Sequence, residues 1–166
     1  GIFCFNTQGL DGAVFQMVSH GIISGALFLA IGVIYERTHT RDINKLGDFA
    51  TTMPKYSVFL MFFTLGSVGL PGTSGFIGEV LVLIGSWKVN PLVAIISGLS
   101  LILGAIYMLR FYRKISFGIS ETQDKYEIHD VNIREFIILS PLVIFIILFG
   151  IFPNIVLNFL KVPHFL

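Results

Sequence analysis

The chain has 166 residues, of which 54% are hydrophobic and 13% charged, with 11 basic against 10 acidic residues and a net charge of +1. Soluble domains carry about 25% charged residues, and the mean hydropathy here is +0.84. These values exclude a basic nucleic-acid-binding module, a disordered tail and a disulfide-rich secreted domain; the single cysteine, Cys4, makes no internal bridge. The expected class is an all-α integral membrane protein.

Gly1 opens the sequence, and residues 1–10 hold neither a basic segment nor a small-residue cleavage site, so no secretory signal is expected. The chain reads as one that starts inside a longer unit: a fragment, a processed half or a split subunit.

A helix crosses a hydrocarbon core of about 30 Å with roughly 20 apolar residues. Four segments qualify, forming one transmembrane unit over residues 1–166: about 13–35, 56–87, 92–109 and 136–152, the last extending to 160. The first has no Asp, Glu, Lys or Arg, and the second has only Glu79. Cations collect in two loops. Residues 36–55 hold Arg37, Arg41, Lys45 and Lys55; residues 110–135 hold Arg110, Arg113, Lys114, Lys125 and Arg134. Two spans separate these loops, so they share a side, and the excess of Lys and Arg assigns it to the inside. Tyr35, Tyr56, Trp87 and Tyr112 read as interface anchors. Gly21 and Gly25, and more weakly Ser100 and Gly104, have the spacing of close helix–helix contacts.

The second span is too long for one straight helix: 32 residues would reach about 48 Å. Its centre reads Gly69-Leu70-Pro71-Gly72-Thr73-Ser74-Gly75. Pro71 has no N–H and clashes with the preceding turn, and Gly69 and Gly72 let the backbone leave the helix. Thr73 or Ser74 can then cap a second half-helix. Broken backbone at membrane depth is tolerated where protein buries it or water reaches it, and discontinuous helices recur at transporter ion sites. A plain proline kink is the competing reading.

Glu79 follows the break. A carboxylate in a span costs about 2.5–3.5 kcal/mol on insertion scales. Desolvation and the positive end of the second half-helix compete over its proton, which suits a proton carrier. The competing reading is an ion pair with a lysine of another helix. His20 is the second candidate. Gln16, His20 and Ser24 share a helix face at four-residue spacing, with Ser19 beside it. That stripe should face protein or water, and His20 can relay protons or be purely structural. His39, His129 and His164 read as solvated. No metal site and no cofactor fingerprint is legible.

The stretches GLDGAVFQMVSHGIISGALFLAIGVIYERTHTRDI, FFTLGSVGLPGTSGFIGE and YMLRFYRKISFG together resemble the C-terminal part of the NADH-ubiquinone oxidoreductase chain 4 family, the antiporter-like membrane subunits of respiratory complex I. The resemblance covers roughly residues 9–118 well; the fourth span matches in position and hydropathy more than in motif. It implies a fourteen-helix fold built of inverted half-channels, of which this chain holds the last four spans. It implies that Glu79 is the family's glutamate on the broken twelfth helix, and that His20 is a polar-axis histidine of the eleventh. The family's glutamate on its fifth helix and lysines on its seventh and eighth have no counterpart in this chain.

The implied function is a C-terminal portion of a proton-translocating subunit, driven by quinone reduction elsewhere in the complex. The implied cofactors (NAD, FMN, iron–sulfur clusters and ubiquinone) sit in other subunits. The implied partners are the remaining N-terminal spans, the antiporter-like chains 2 and 5, and the lipid bilayer, with no nucleic acid. The location is the mitochondrial inner membrane, or alternatively a bacterial inner membrane. Two other functions stay open: a scaffold without pumping of its own, and a subunit of a Mrp-type cation/proton antiporter.

Overall fold

The computed structural model describes residues 1–119 and 128–160; Lys125 and His164 lie outside the described residues. Among these residues all regular structure is helical. A short 3-10 helix, Ile2–Cys4, precedes the long helix α1, Thr7–Thr38. The latter starts earlier than its apolar run because Asn6 caps it, accepting from the Gly9 N–H at 2.8 Å. It ends at His39, which turns into the left-handed region at φ 51°.

After a loop come α2, Phe49–Thr52, and α3, Pro54–Ser67, with Pro54 in the first turn where its missing N–H costs nothing. Helix α4 spans Ser74–Val89. Asn90 alone joins it to α5, Pro91–Phe117, and caps that helix by accepting from Leu92 and Val93. Helix α6, Ile133–Ile151, opens on a reciprocal capping box between Asn132 and Glu135. It stops short of the expected 160. Pro153 disfavours helical geometry at Phe152, whose φ/ψ is −118°/63°, and α7, Asn154–Leu160, follows.

Among the described residues three helices are long and apolar enough to cross a membrane: α1, α5 and α6. The segment read as the second span is two half-helices of 14 and 16 residues, each below the roughly 20 residues a crossing needs.

Helix α1 lies closest to α4, and glycines set that approach. A Cβ on Gly12 would stand 2.7 Å from the Cβ of Leu81, one on Gly78 would stand 2.9 Å from the Cα of Gln16, and one on Gly85 would stand 2.5 Å from the Cα of Gly9. The expected contact motif is therefore elsewhere than read. Added Cβ atoms at Gly21 and Gly25 would meet nothing within 4 Å, and one at Gly104 would meet only the ring of Tyr107 at 3.9 Å. Of the three membrane-length helices α5 is the least enclosed, with Ala94, Ile115 and Ser116 its buried residues.

The hydrophobic core sits toward the end carrying the basic loops. Ala26, Ala30 and Ile34 of α1 meet Phe49, Met53, Tyr56, Leu60 and Phe63, with Leu139 and Ile146 of α6 closing over them. Tyr56 is fully buried there, which corrects its reading as an interface anchor: its ring packs edge-on against Phe49. Tyr35 and Trp87 do stay exposed, at 40% and 55%.

The two basic loops meet at one end. Arg37 grips both carboxylate oxygens of Glu135 at 2.8 Å and donates to the carbonyls of His129 and Asp130. The carboxylate of Asp130 in turn accepts from the Lys55 and Tyr56 N–H groups at the start of α3. Lys114 hydrogen-bonds Asn44.

Candidate functional site

The break between α3 and α4 is two consecutive local motifs. Gly69 adopts φ +72° at the position after the helix cap. The Gly69 N–H bonds the Gly66 carbonyl and the Leu70 N–H bonds the Leu65 carbonyl, the paired bonds of a Schellman ending. Leu70-Pro71-Gly72-Thr73 then forms a β-turn closed by the Thr73 N–H on the Leu70 carbonyl at 3.0 Å. Proline stands second and glycine third, at φ +95°, as such a turn requires. The backbone groups freed by the break are thus re-paired locally. Gly150 of α6 lies against its far side: a Cβ there would stand 2.5 Å from the carbonyl carbon of Gly72.

Neither hydroxyl expected to cap α4 does so. Thr73 is the residue at the cap, but its Oγ1 donates to the Leu70 carbonyl at 2.8 Å. The Ser74 hydroxyl is engaged by that of Ser19, 2.8 Å away and buried. The turn and the neighbouring helix claim both hydroxyls before the helix end can.

Glu79 lies one and a half turns into α4. A side chain on a helix leans toward the N-terminus, and that of Glu79 reaches back to the break: a Cβ on Gly69 would stand 3.2 Å from its Cδ. The residue is half-buried. Among the described residues no hydrogen bond or ion pair engages its carboxylate, so the lysine partner of the competing reading is not found there.

A cleft of about 450 Å³ brings the candidates together. Gln16, His20 and Ser24 line it from α1, Ser67 and Gly75 from the two sides of the break, Glu79 from α4 and Tyr107 from α5. His20 is exposed to the cleft, and its Nε2 lies 3.0 Å from Ser24 Oγ. The Gln16 side chain ends at the α1–α4 crossing, where its Oε1 is buried without a partner among the described residues. Ser19 does not line the cleft; its hydroxyl faces Ser74. Pro71 and Gly72 are exposed on the turn, and Gly69 forms the seat of the Glu79 carboxylate.

Sequence reasoning missed Ser67 and Tyr107. Tyr107 is the tyrosine of the span read at about 92–109, whose other hydroxyls are Ser97 and Ser100, a signal that was available. Among the described residues no group of three or more His, Cys, Asp or Glu could hold a metal ion.

Apolar helices of membrane-crossing length, a discontinuous helix and an acid at its break define a polytopic membrane protein with the backbone arrangement of transporter ion sites. The family described as "NADH:quinone oxidoreductase/Mrp antiporter, TM" matches residues 1–104, and the chain belongs to it. NADH-quinone oxidoreductase subunit M of Rickettsia bellii (strain RML369-C) is 49% identical over 158 residues, covering 95% of this chain and 32% of that protein. NADH-ubiquinone oxidoreductase chain 4 of Chondrus crispus is 44% identical over 165 residues, covering 99% of this chain and 33% of that one. The chain thus spans about a third of the length of these relatives.

Among solved structures, a chain of respiratory complex I from Thermus thermophilus with bound NADH superposes with a TM-score of 0.81 at 33% identity, over 89% of this chain and 31% of that one. A chain of the Mrp complex from Dietzia sp. DQ12-45-1b superposes with a TM-score of 0.82 at 20% identity, over 93% of this chain and 37% of that one; that likeness is one of fold.

Proposed function

We propose that this chain is the C-terminal portion of a chain 4 subunit of proton-translocating NADH:ubiquinone oxidoreductase, and that Glu79 carries protons through it. In this reading the chain crosses the membrane four times, α3 and α4 together making the second crossing. It completes a fourteen-helix subunit whose other spans supply the missing lysines, with chains 2 and 5 as neighbours. The basic loops lie inside, and the membrane is the mitochondrial inner membrane or its bacterial counterpart. The redox steps and their cofactors belong to other subunits of the complex.

One observation carries the proton role: a carboxylate unpartnered among the described residues, seated on Gly69 at a helix break, opens to a cleft shared with His20. Within the described residues such a group is held by geometry and not by a counter-ion, which leaves it free to change protonation. Glu79 takes a proton from the cleft and passes it outward; His20 and Ser24 hand protons along α1 or order water beside it, and Gln16 lines the path. Moving one charge through 100 mV takes about 2.3 kcal/mol, so quinone reduction must drive the change in proton affinity. The relatives named above are NADH-quinone oxidoreductase subunits, which favours this reading over a Mrp-type antiporter.

The test is NADH-driven proton uptake into vesicles holding the assembled complex. Glu79→Gln should cut uptake severalfold while the subunit still assembles, and Glu79→Asp should be milder because it keeps the acid and shortens its reach. Undiminished uptake with Glu79→Gln would leave the chain a scaffold of the membrane arm.

A further inference from the structure

A second cleft lies between α1 and α5 at the end that bears the basic loops. It consists of two contiguous hollows of about 390 and 520 Å³ that share Ile31, Ile43 and Phe111. Phe28 and Gly32 line it from α1, and Ile115 lines it from α5. Three cations stand at it: Arg41, Arg110 and Lys114. Among the described residues that line it there is no carboxylate.

The cations are held at the mouth and, among the described residues, are not withdrawn into ion pairs. Arg41 rests its guanidinium over the Tyr35 ring, 4.8 Å from the centroid. Lys114 bonds the neutral side-chain oxygen of Asn44. Arg110, one helical turn before Lys114 on the same face, has no hydrogen-bond or ion-pair partner among the described residues. The carboxylate nearest in sequence, Asp42, is turned onto the Asn44 N–H at 3.0 Å.

The geometry points to a binding site for an anionic phospholipid, with one acyl chain in the α1–α5 cleft and the phosphate among Arg41, Arg110 and Lys114. Charge complementarity selects the headgroup, because basic pockets between membrane helices are sites for acidic lipids. The lining matches the two parts of such a lipid: Phe28, Ile31, Ile43 and Phe111 offer apolar surface to an acyl chain, and Arg41, Arg110 and Lys114 offer positive charge to a phosphate. A slender acyl chain running along the cleft fits this space. The site is separate from the cleft of Glu79 and does not depend on the proton role proposed for it.

The experiment uses the assembled complex in lipid nanodiscs doped with phosphatidylglycerol carrying a photoreactive diazirine on its acyl chain. A phosphatidylcholine probe of the same chain is the control. Adducts on residues 27–34 and 107–115 should be severalfold stronger with phosphatidylglycerol. Arg110→Gln and Lys114→Gln should lower that labelling by about fivefold for each cation removed. Arg110→Lys with Lys114→Arg keeps both charges and should keep the labelling, which separates headgroup capture from misfolding. Equal labelling by both probes would reduce the cleft to an unselective lipid boundary. Absence of adducts on both segments would mean that protein from the rest of the subunit covers it. Either result overturns the proposal.

Discussion

The hydroxyl of Ser19 donates to that of Ser74 across 2.8 Å, and neither side chain keeps more than 1% of its exposure. The bond fixes the first residue of α4 against the middle of α1. The half-helix carrying Glu79 therefore starts at a point chosen by α1 and not by its own cap.

Removing one partner of that bond should cost more than removing both. Ser19→Ala strands the Ser74 hydroxyl in a buried site, an effect of about 0.6–2 kcal/mol for a bond between membrane helices. Adding Ser74→Ala should restore part of the loss, because no orphaned group is left. Unfolding in mixed detergent across this double-mutant cycle reads the difference. A strictly additive double variant would mean that the two hydroxyls do not interact.

Gly69 and Gly72 both have positive φ but should not respond alike to alanine. Each substitution carries the left-handed strain of about 1–2 kcal/mol. At Gly72 the added methyl meets open space; at Gly69 it runs into the Glu79 carboxylate. Gly69→Ala should therefore depress proton uptake well beyond Gly72→Ala at comparable amounts of assembled subunit. Equal uptake in the two variants would detach Glu79 from its seat.

Arg37 makes bonds to Val33, His129, Asp130 and both oxygens of Glu135, with side-chain exposures of 14% and 11% for the ion pair. Arg37→Ala leaves a largely buried carboxylate without its counter-charge and should destabilise by about 3–5 kcal/mol, whereas replacing both Arg37 and Glu135 with methionine should cost much less. Limited proteolysis between α5 and α6 is the readout. Faster cutting in Arg37→Ala than in the double variant is expected, because both lose the bonds to the carbonyls of residues 129 and 130 but only Arg37→Ala strands the Glu135 carboxylate.

The Tyr56 hydroxyl is buried with no partner among the described residues. Tyr56→Phe should be neutral or stabilising by about 1 kcal/mol, since a desolvated polar group is removed and the ring contact with Phe49 is kept. A clear loss of stability would reveal a partner for that hydroxyl in the assembled subunit.

The break was legible because proline and glycine act on the backbone where they stand. Pro71, Gly69 and Gly72 announce it without knowledge of any neighbour. The polar stripe of Gln16, His20 and Ser24 was legible for a similar reason, since four-residue spacing fixes a face of one helix. Which faces meet was not legible. The spacing of Gly21 and Gly25 signalled a contact, yet no described residue packs on that face, and the tight crossing within the chain uses Gly9 and Gly12 against Gly78 and Gly85. Pairing between helices depends on both partners, whereas periodicity describes one. Tyr56 failed likewise: its place near a span end suggested the interface, but Phe49 of α2 and Met53 after it pack over it.

The bond between His20 Nε2 and Ser24 Oγ, at 3.0 Å, bears on direction. A hydroxyl accepts and donates with equal ease, so the pair reads the same forwards and backwards. In the relay proposed for His20, one ring nitrogen is already committed to its own helix, and traffic must enter or leave by Nδ1 or wait for the ring to turn. Such an element is a two-way street. In that proposal any one-way rule has to be imposed by the carboxylate at the break, with Glu79 as the valve and the α1 stripe as the pipe.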